Sequence, residues 1–111
     1  MMELFWWMMV GHFAVDYPLQ GSQTAIQKSP LTDNELSKAV PWYYWLTAHA
    51  LMHGGVVAWA TGFIWLGLAE TMCHWFIDYG KCLKRYGIHT DQVLHVLSKV
   101  IWVLLCVSIC R

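Results

Sequence analysis

A chain of 111 residues is one small domain by length, with little capacity to bury a core in water. Its hydrophobic content is 58% against 13% charged residues, about half the charge of an ordinary soluble domain, which points to lipid as the solvent. The formal net charge is +0 and no basic patch is visible, so the chain has no electrostatic case for binding nucleic acid.

The opening stretch "MMELFWWMMVGHFAVDYPLQ" lacks a positive leader, and its apolar run holds His12 and ends at Asp16, which separates it from a secretory signal. A mature helix is expected over about 3–17, stopped by Pro18, because the residue before a proline is pushed out of the helical region. It is short for a full span. The polar loop 20–40 follows, with Thr32 and Glu35 spaced as a capping box for one short surface helix.

A second long helix is expected over 41–60, with Pro41 in its first turn and the aromatic cluster Trp42, Tyr43, Tyr44 and Trp45 at a membrane interface. A reversal around Thr61 and Gly62 leads into a third helix over 63–86, with Gly87 in the left-handed cap position and an earlier stop at Gly80 as the alternative. The fourth, over 90–110, is about 30 Å long at roughly 1.5 Å per residue, enough to cross the hydrocarbon. Between Val40 and Ala69 there is no Asp, Glu, Lys or Arg, enough for one span and part of another. Cys73, Cys82, Cys106 and Cys110 show no CxxC spacing and read as apolar thiols rather than a disulfide framework. The expected fold class is all-α, a four-helix up-down transmembrane bundle forming a single membrane domain over 1–111.

Against this apolar background, His12 and Asp16, His49 and His53, His74 and Asp78, and Asp91 and His95 are each four residues apart. Every long helix carries one pair. Residues at this spacing share a helix face with β-carbons roughly 5–6 Å apart, so both reach one ion or two adjacent ions. Imidazole with carboxylate suits Zn, Mn or Fe better than Mg or Ca, and Zn is the expected ion. In an up-down-up-down bundle the pairs meet at one level only if they alternate between helix ends. They do: "HFAVD" ends the first helix, "HALMH" lies in the first half of the second, "HWFID" falls late in the third and "DQVLH" opens the fourth.

Each pair also has a plain structural explanation. Asp91 at a helix start is favoured by the dipole with no ligand role, and Asp78 has Lys81 one turn on. A lone HxxxH is weak, since a buried histidine is more often hydrogen-bonded core than ligand. Asp16 resists such a reading, because it sits in a last turn where the dipole disfavours an anion and no Lys or Arg is near in sequence. On insertion scales a mid-helix carboxylate costs roughly 2.5–3.5 kcal/mol, so Asp16 and Asp78 together cost about 5–7 kcal/mol, less near the interface. A divalent cation offsets both and accounts for the five nearby histidines, so a metal site is preferred to a polar network, and that to an ion path. Glu70 lies toward the other end of its helix and reads as an interfacial or protonated carboxyl rather than a ligand. His89 reads as solvated, and Gln20 and Gln92 as groups that orient ligands or water.

The motifs "HFAVDYPLQ", "HALMHG", "HWFIDYGK" and "DQVLH", in this order, resemble the domain-of-unknown-function family numbered 3307, over nearly the whole chain from His12 to His95. That resemblance implies a small bacterial or phage integral membrane protein and supplies no activity. A looser similarity, again through His and Asp on membrane helices, links the chain to bacterial membrane metal-dependent hydrolases.

The function expected on these grounds is metal-dependent hydrolysis of a membrane-associated ester or phosphoester. The metal ligands are drawn from His12, Asp16, His49, His53, His74, Asp78, Asp91 and His95, with Asp16 or Asp91 as general base. The alternative is a non-enzymatic membrane protein whose metal or polar cluster staples the bundle, acting through a host membrane partner or a second copy. Transport is disfavoured because so small a chain offers no inverted repeats. Lys28, Lys38, Lys81, Lys84 and Arg85 lie on the loops or helix ends at the site's level. By the positive-inside rule this face is cytoplasmic, giving a multi-pass protein of the bacterial inner membrane with its termini outside.

Overall fold

The computed structural model describes residues 1–109, and these are helical throughout with no strand. Helix α1 (Met2–Asp16) stops just ahead of Pro18. Two short helices occupy the polar loop, α2 (Gly21–Gln27) and α3 (Glu35–Ala39). The expected Thr32–Glu35 box is not the one formed. Asn34 caps α3, accepting from the Ser37 backbone N–H while the Ser37 hydroxyl accepts from the Asn34 N–H, because only a residue in extended backbone directly before the first turn can reach the orphan donors.

Helix α4 (Trp42–Thr61) begins behind Pro41 and ends at Gly62, whose φ of 78° is the left-handed turn that returns the chain into α5 (Ile64–Cys82). The third long helix therefore stops earlier than 86. The left-handed residue after it is Lys84 at φ 61°, not Gly87, and α6 (Ile88–Ile109) starts at once. Tyr86 explains the tight connection: its hydroxyl donates to the Ile77 carbonyl, folding the link back onto α5. Burial, then the Asp91 carboxylate, raise the pKa of this phenol above its usual value. Cys110 lies outside the described residues.

The four long helices close a ring in which α1 touches α4 and α6, and α5 touches α4 and α6. The α4–α5 contact is the closest. A Cβ built at Gly54 would lie 2.5 Å from the Gly67 carbonyl oxygen, and one at Gly67 would lie 2.6 Å from the Gly54 carbonyl oxygen, so the two backbones meet where neither helix has a side chain.

The interior is divided. At the α4–α5 turn end it is apolar, built from Met8, Val57, Leu66, Trp102, Val103 and Cys106. At the other end it is polar, holding His12, His49, His53, His74, Asp78, Asp91 and His95 at no more than 1% exposure. Among the described residues only α6 is long and apolar enough, by length and composition, to cross a membrane. The four spans expected from sequence are thus not matched. Helix α1 has 15 residues, and α5 carries Glu70, Asp78 and Lys81, which lower its apolarity.

Candidate metal centre

The i, i+4 pairs converge as their alternation along the chain requires. Asp16 ends α1 with its carboxylate inside the ring: one oxygen lies 2.9 Å from His53 Nε2 and 3.2 Å from His49 Nε2, the other 3.3 Å from His12 Nε2. From α5, the Asp78 carboxylate is 3.6 Å from His49 Nε2 and 3.9 Å from His74 Nε2. From α6, Asp91 Oδ1 is 3.2 Å from His95 Nε2. The imidazole rings stack in a column, with centroids 3.7 Å apart between His53 and His74 and 4.1 Å between His74 and His95.

Ligand atoms of Asp16, His49, His53 and His74 all lie within 4.8 Å of one another, as do those of Asp78, Asp91 and His95. These two adjacent sets contain seven of the eight residues expected from sequence. His12 belongs to neither. Its Nε2 lies 3.0 Å from Gln92 Oε1, and the Gln92 amide N–H groups donate to Asp16 Oδ2 at 3.1 Å and Asp91 Oδ2 at 3.2 Å. Gln92 therefore ties α1 to α6 through two carboxylates. Gln20 donates to the Asp16 backbone carbonyl at 3.1 Å.

Whether this donor set suits an ion is decided by its unmet hydrogen bonds. Both nitrogens of His74 and of His95, the Nδ1 atoms of His12, His49 and His53, and Asp91 Oδ1 are buried without an aligned hydrogen bond among the described residues; Asp91 Oδ1 and His95 Nε2 are 3.2 Å apart but out of line. Buried polar atoms are almost always paired, and each orphan costs about 1–3 kcal/mol. Stacked imidazoles facing one another in a column cannot satisfy each other, since each needs a donor or acceptor in its ring plane. A divalent cation accepts several such lone pairs at once, and three imidazoles with one carboxylate form the donor set of a Zn-type site.

Three features lie outside the pairs. Lys28, expected on the polar loop, is buried. Its Nζ donates to Asp78 Oδ2 at 2.7 Å and to Gln20 Oε1 at 2.6 Å. No spacing signal marks it, because the contact joins residues fifty positions apart. Lys81 Nζ approaches Asp78 Oδ1 at 3.3 Å and Asp91 Oδ2 at 3.9 Å. Glu70, fully buried rather than interfacial, accepts from Lys99 Nζ and from Trp102 Nε1, the latter at 2.6 Å, and its Oε1 lies 3.6 Å from His74 Nδ1. With His74 and His95 it forms a third group whose ligand atoms lie within 4.8 Å of one another. Opposite lone charges on neighbouring apolar helices were the available signal. His89 is exposed, as expected.

No curated protein and no solved structure matches the chain. The four motifs that build this centre lie within residues 4–110, which match the model of a family described as a protein of unknown function, DUF3307, and the chain belongs to that family.

Proposed function

We propose that the protein is a four-helix membrane bundle whose His/Asp centre holds one or two transition-metal ions, Zn first, and hydrolyses a membrane-associated ester or phosphoester. The observation that carries the metal is the convergence of ligand atoms from Asp16, His49, His53 and His74 and from Asp78, Asp91 and His95, with both nitrogens of His74 and His95 lacking a hydrogen bond. The membrane reading is supported by where the apolar side chains go. Trp6, Trp59, Leu68, Met72, Phe76 and Leu104 are all more than half exposed on the long helices, while the inside at one end is histidine, carboxylate and lysine. In water such a molecule is inside out. In lipid it is satisfied on both sides, and the inward polar residues are what lower the apolarity of α4 and α5.

Asp16, His49, His53 and His74 are the first ligand set, and Asp78 and His95 belong to the second, with Asp91 beside them. Bound metal would lower the pKa of a coordinated water and polarise the scissile bond. Asp91 is assigned as the general base, because its Oδ1 meets only His95 Nε2, at 3.2 Å and out of hydrogen-bond alignment, while Gln92 holds its Oδ2. Asp16, drawn on by three imidazoles and Gln92, suits a ligand better than a base. Elemental analysis of detergent-purified protein tests the centre: stoichiometric Zn, Mn or Fe is expected, and neither bound metal nor uptake on reconstitution would leave a polar network.

The second reading is a closed structural centre in a non-enzymatic protein acting through a host membrane partner or another copy of itself. It is favoured by Lys28 and Lys81, which already neutralise Asp78 without an ion. An inert, metal-replete protein with no exchangeable ligand position would support it.

A further inference from the structure

The two lysines around Asp78 are more positive charge than one carboxylate needs, and close to a cation site they work against the cation. Lys28 is the odder, because it is buried with only 3% exposure at the end of the short helix α2. An ammonium has three N–H donors, and two acceptors, Gln20 Oε1 and Asp78 Oδ2, are within bonding distance. Lys81, with a side chain 27% exposed, keeps part of its ammonium open. Both lysines line a cavity of about 110 Å³ at the end of the bundle, together with Asp16, Gln20 and Gln92. Polar side chains from the two ends of α2, from α5 and from α6 thus line one space with Asp16 of α1.

We propose that this cavity is a subsite for a phosphoryl oxyanion, so that the substrate of the metal centre is a phosphate ester rather than a carboxylic ester. The inference rests on the metal reading above. Asp16, Asp78 and Asp91 against Lys28 and Lys81 leave these five buried or half-buried side chains with one net negative charge, and Glu70 is paired with Lys99. One divalent cation reverses that sign, so an anion is welcome only in the loaded protein. The lysines and the second N–H of Gln20 then offer donors to the non-bridging oxygens, while Gln92 stays committed to Asp16 and Asp91. The volume admits a few waters at about 30 Å³ each, which suits one tetrahedral headgroup and excludes acyl chains. Exposed Tyr17 and Ile88 flank the mouth as an apolar rim for the rest of the ester.

The test uses the full chain in phosphatidylcholine nanodiscs, loaded with Zn and desalted, with inorganic phosphate titrated by calorimetry and metal counted in parallel. Saturable phosphate binding that vanishes on removing the metal is expected. Lys81→Gln and Lys28→Gln should each weaken it by roughly tenfold or more while retaining Zn, and Lys38→Gln, on the exposed α3 surface, should leave it unchanged. Lys81→Gln is the safer variant, since its partly exposed side chain is not needed to fill the core. Displacement of phosphate by phosphatidic acid in the disc would identify a lipid headgroup, and displacement only by glycerol 3-phosphate a soluble ester; either supports the subsite. Metal-loaded protein that binds no phosphate, or binds it equally well as Lys81→Gln, overturns the subsite and leaves the metal centre standing. A chain that takes up no metal fails the metal count itself, and both readings fall.

Discussion

His53 of α4 and His74 of α5 stack with ring centroids 3.7 Å apart, and the Gly54–Gly67 crossing beside them is what lets two helices bring imidazoles so close. A histidine pair at that distance with unpartnered nitrogens is costly in a dry interior, and the glycine crossing holds it there against separation. Site and packing are therefore tested together.

Gly54→Ala would drive a methyl group to 2.5 Å from the Gly67 carbonyl oxygen and 1.9 Å from Thr71 Oγ1. Overpacking of this kind costs about 1–3 kcal/mol, and the shift between α4 and α5 should also loosen bound metal. Gly55→Ala is the control, because a Cβ there meets nothing within 4 Å and helix propensity favours it. Melting temperature and metal content of the two variants check this; equal behaviour would remove the crossing from the account.

Asp16→Asn separates the uses of that carboxylate. As a ligand approached by His49, His53 and His12, its loss should lower metal retention and thermal stability together. A variant that melts higher with unchanged metal would show the carboxylate to be a tolerated burden, as the dipole at a helix C-terminus predicts for an uncompensated anion.

Asp91→Asn should keep metal and fold while lowering hydrolysis of a chromogenic phosphate monoester by roughly 10²–10⁴-fold, the usual contribution of acid–base catalysis. Comparable loss of metal would make Asp91 a ligand instead of the base.

The buried pair of Lys99 and Glu70 is expected to behave as a unit. Lys99→Met alone leaves Glu70 charged and held only by Trp102, at a cost of about 3–5 kcal/mol, whereas adding Glu70→Gln removes the charge and keeps an acceptor for Trp102 Nε1. Denaturant unfolding of single and double variants should show the double recovering most of the loss. Additive effects would argue against coupling.

For orientation, Asp33→Cys in a background without native thiols places a label site in the exposed α2–α3 segment. With Lys38, Lys84 and Arg85 exposed at this end, shielding from an impermeant reagent in intact cells is expected. Ready labelling would turn the centre to the outer face.

The convergence of the candidate ligands was largely legible in the sequence. The helical period makes residues four apart share a face, and chain order alone requires pairs late in α1, early in α4, late in α5 and early in α6 to meet at one end. Asp16, His49, His53 and His74, and Asp78, Asp91 and His95, follow from those two facts. Local chemistry likewise announced Pro18 as a stop and Gly62 as the turn. Lys28 on Asp78, Glu70 behind His74 and its pairing with Lys99 came only with the packed chain, as did the transfer of the left-handed position from Gly87 to Lys84. These contacts join residues with no periodic relation, and helix crossing and loop closure select them: where α4 and α5 touch at two glycines, and where α2 comes to rest, decides which polar groups share the interior. A repeat along one helix is visible in sequence because covalent geometry sets it, but a partner across the bundle is set by distance in space.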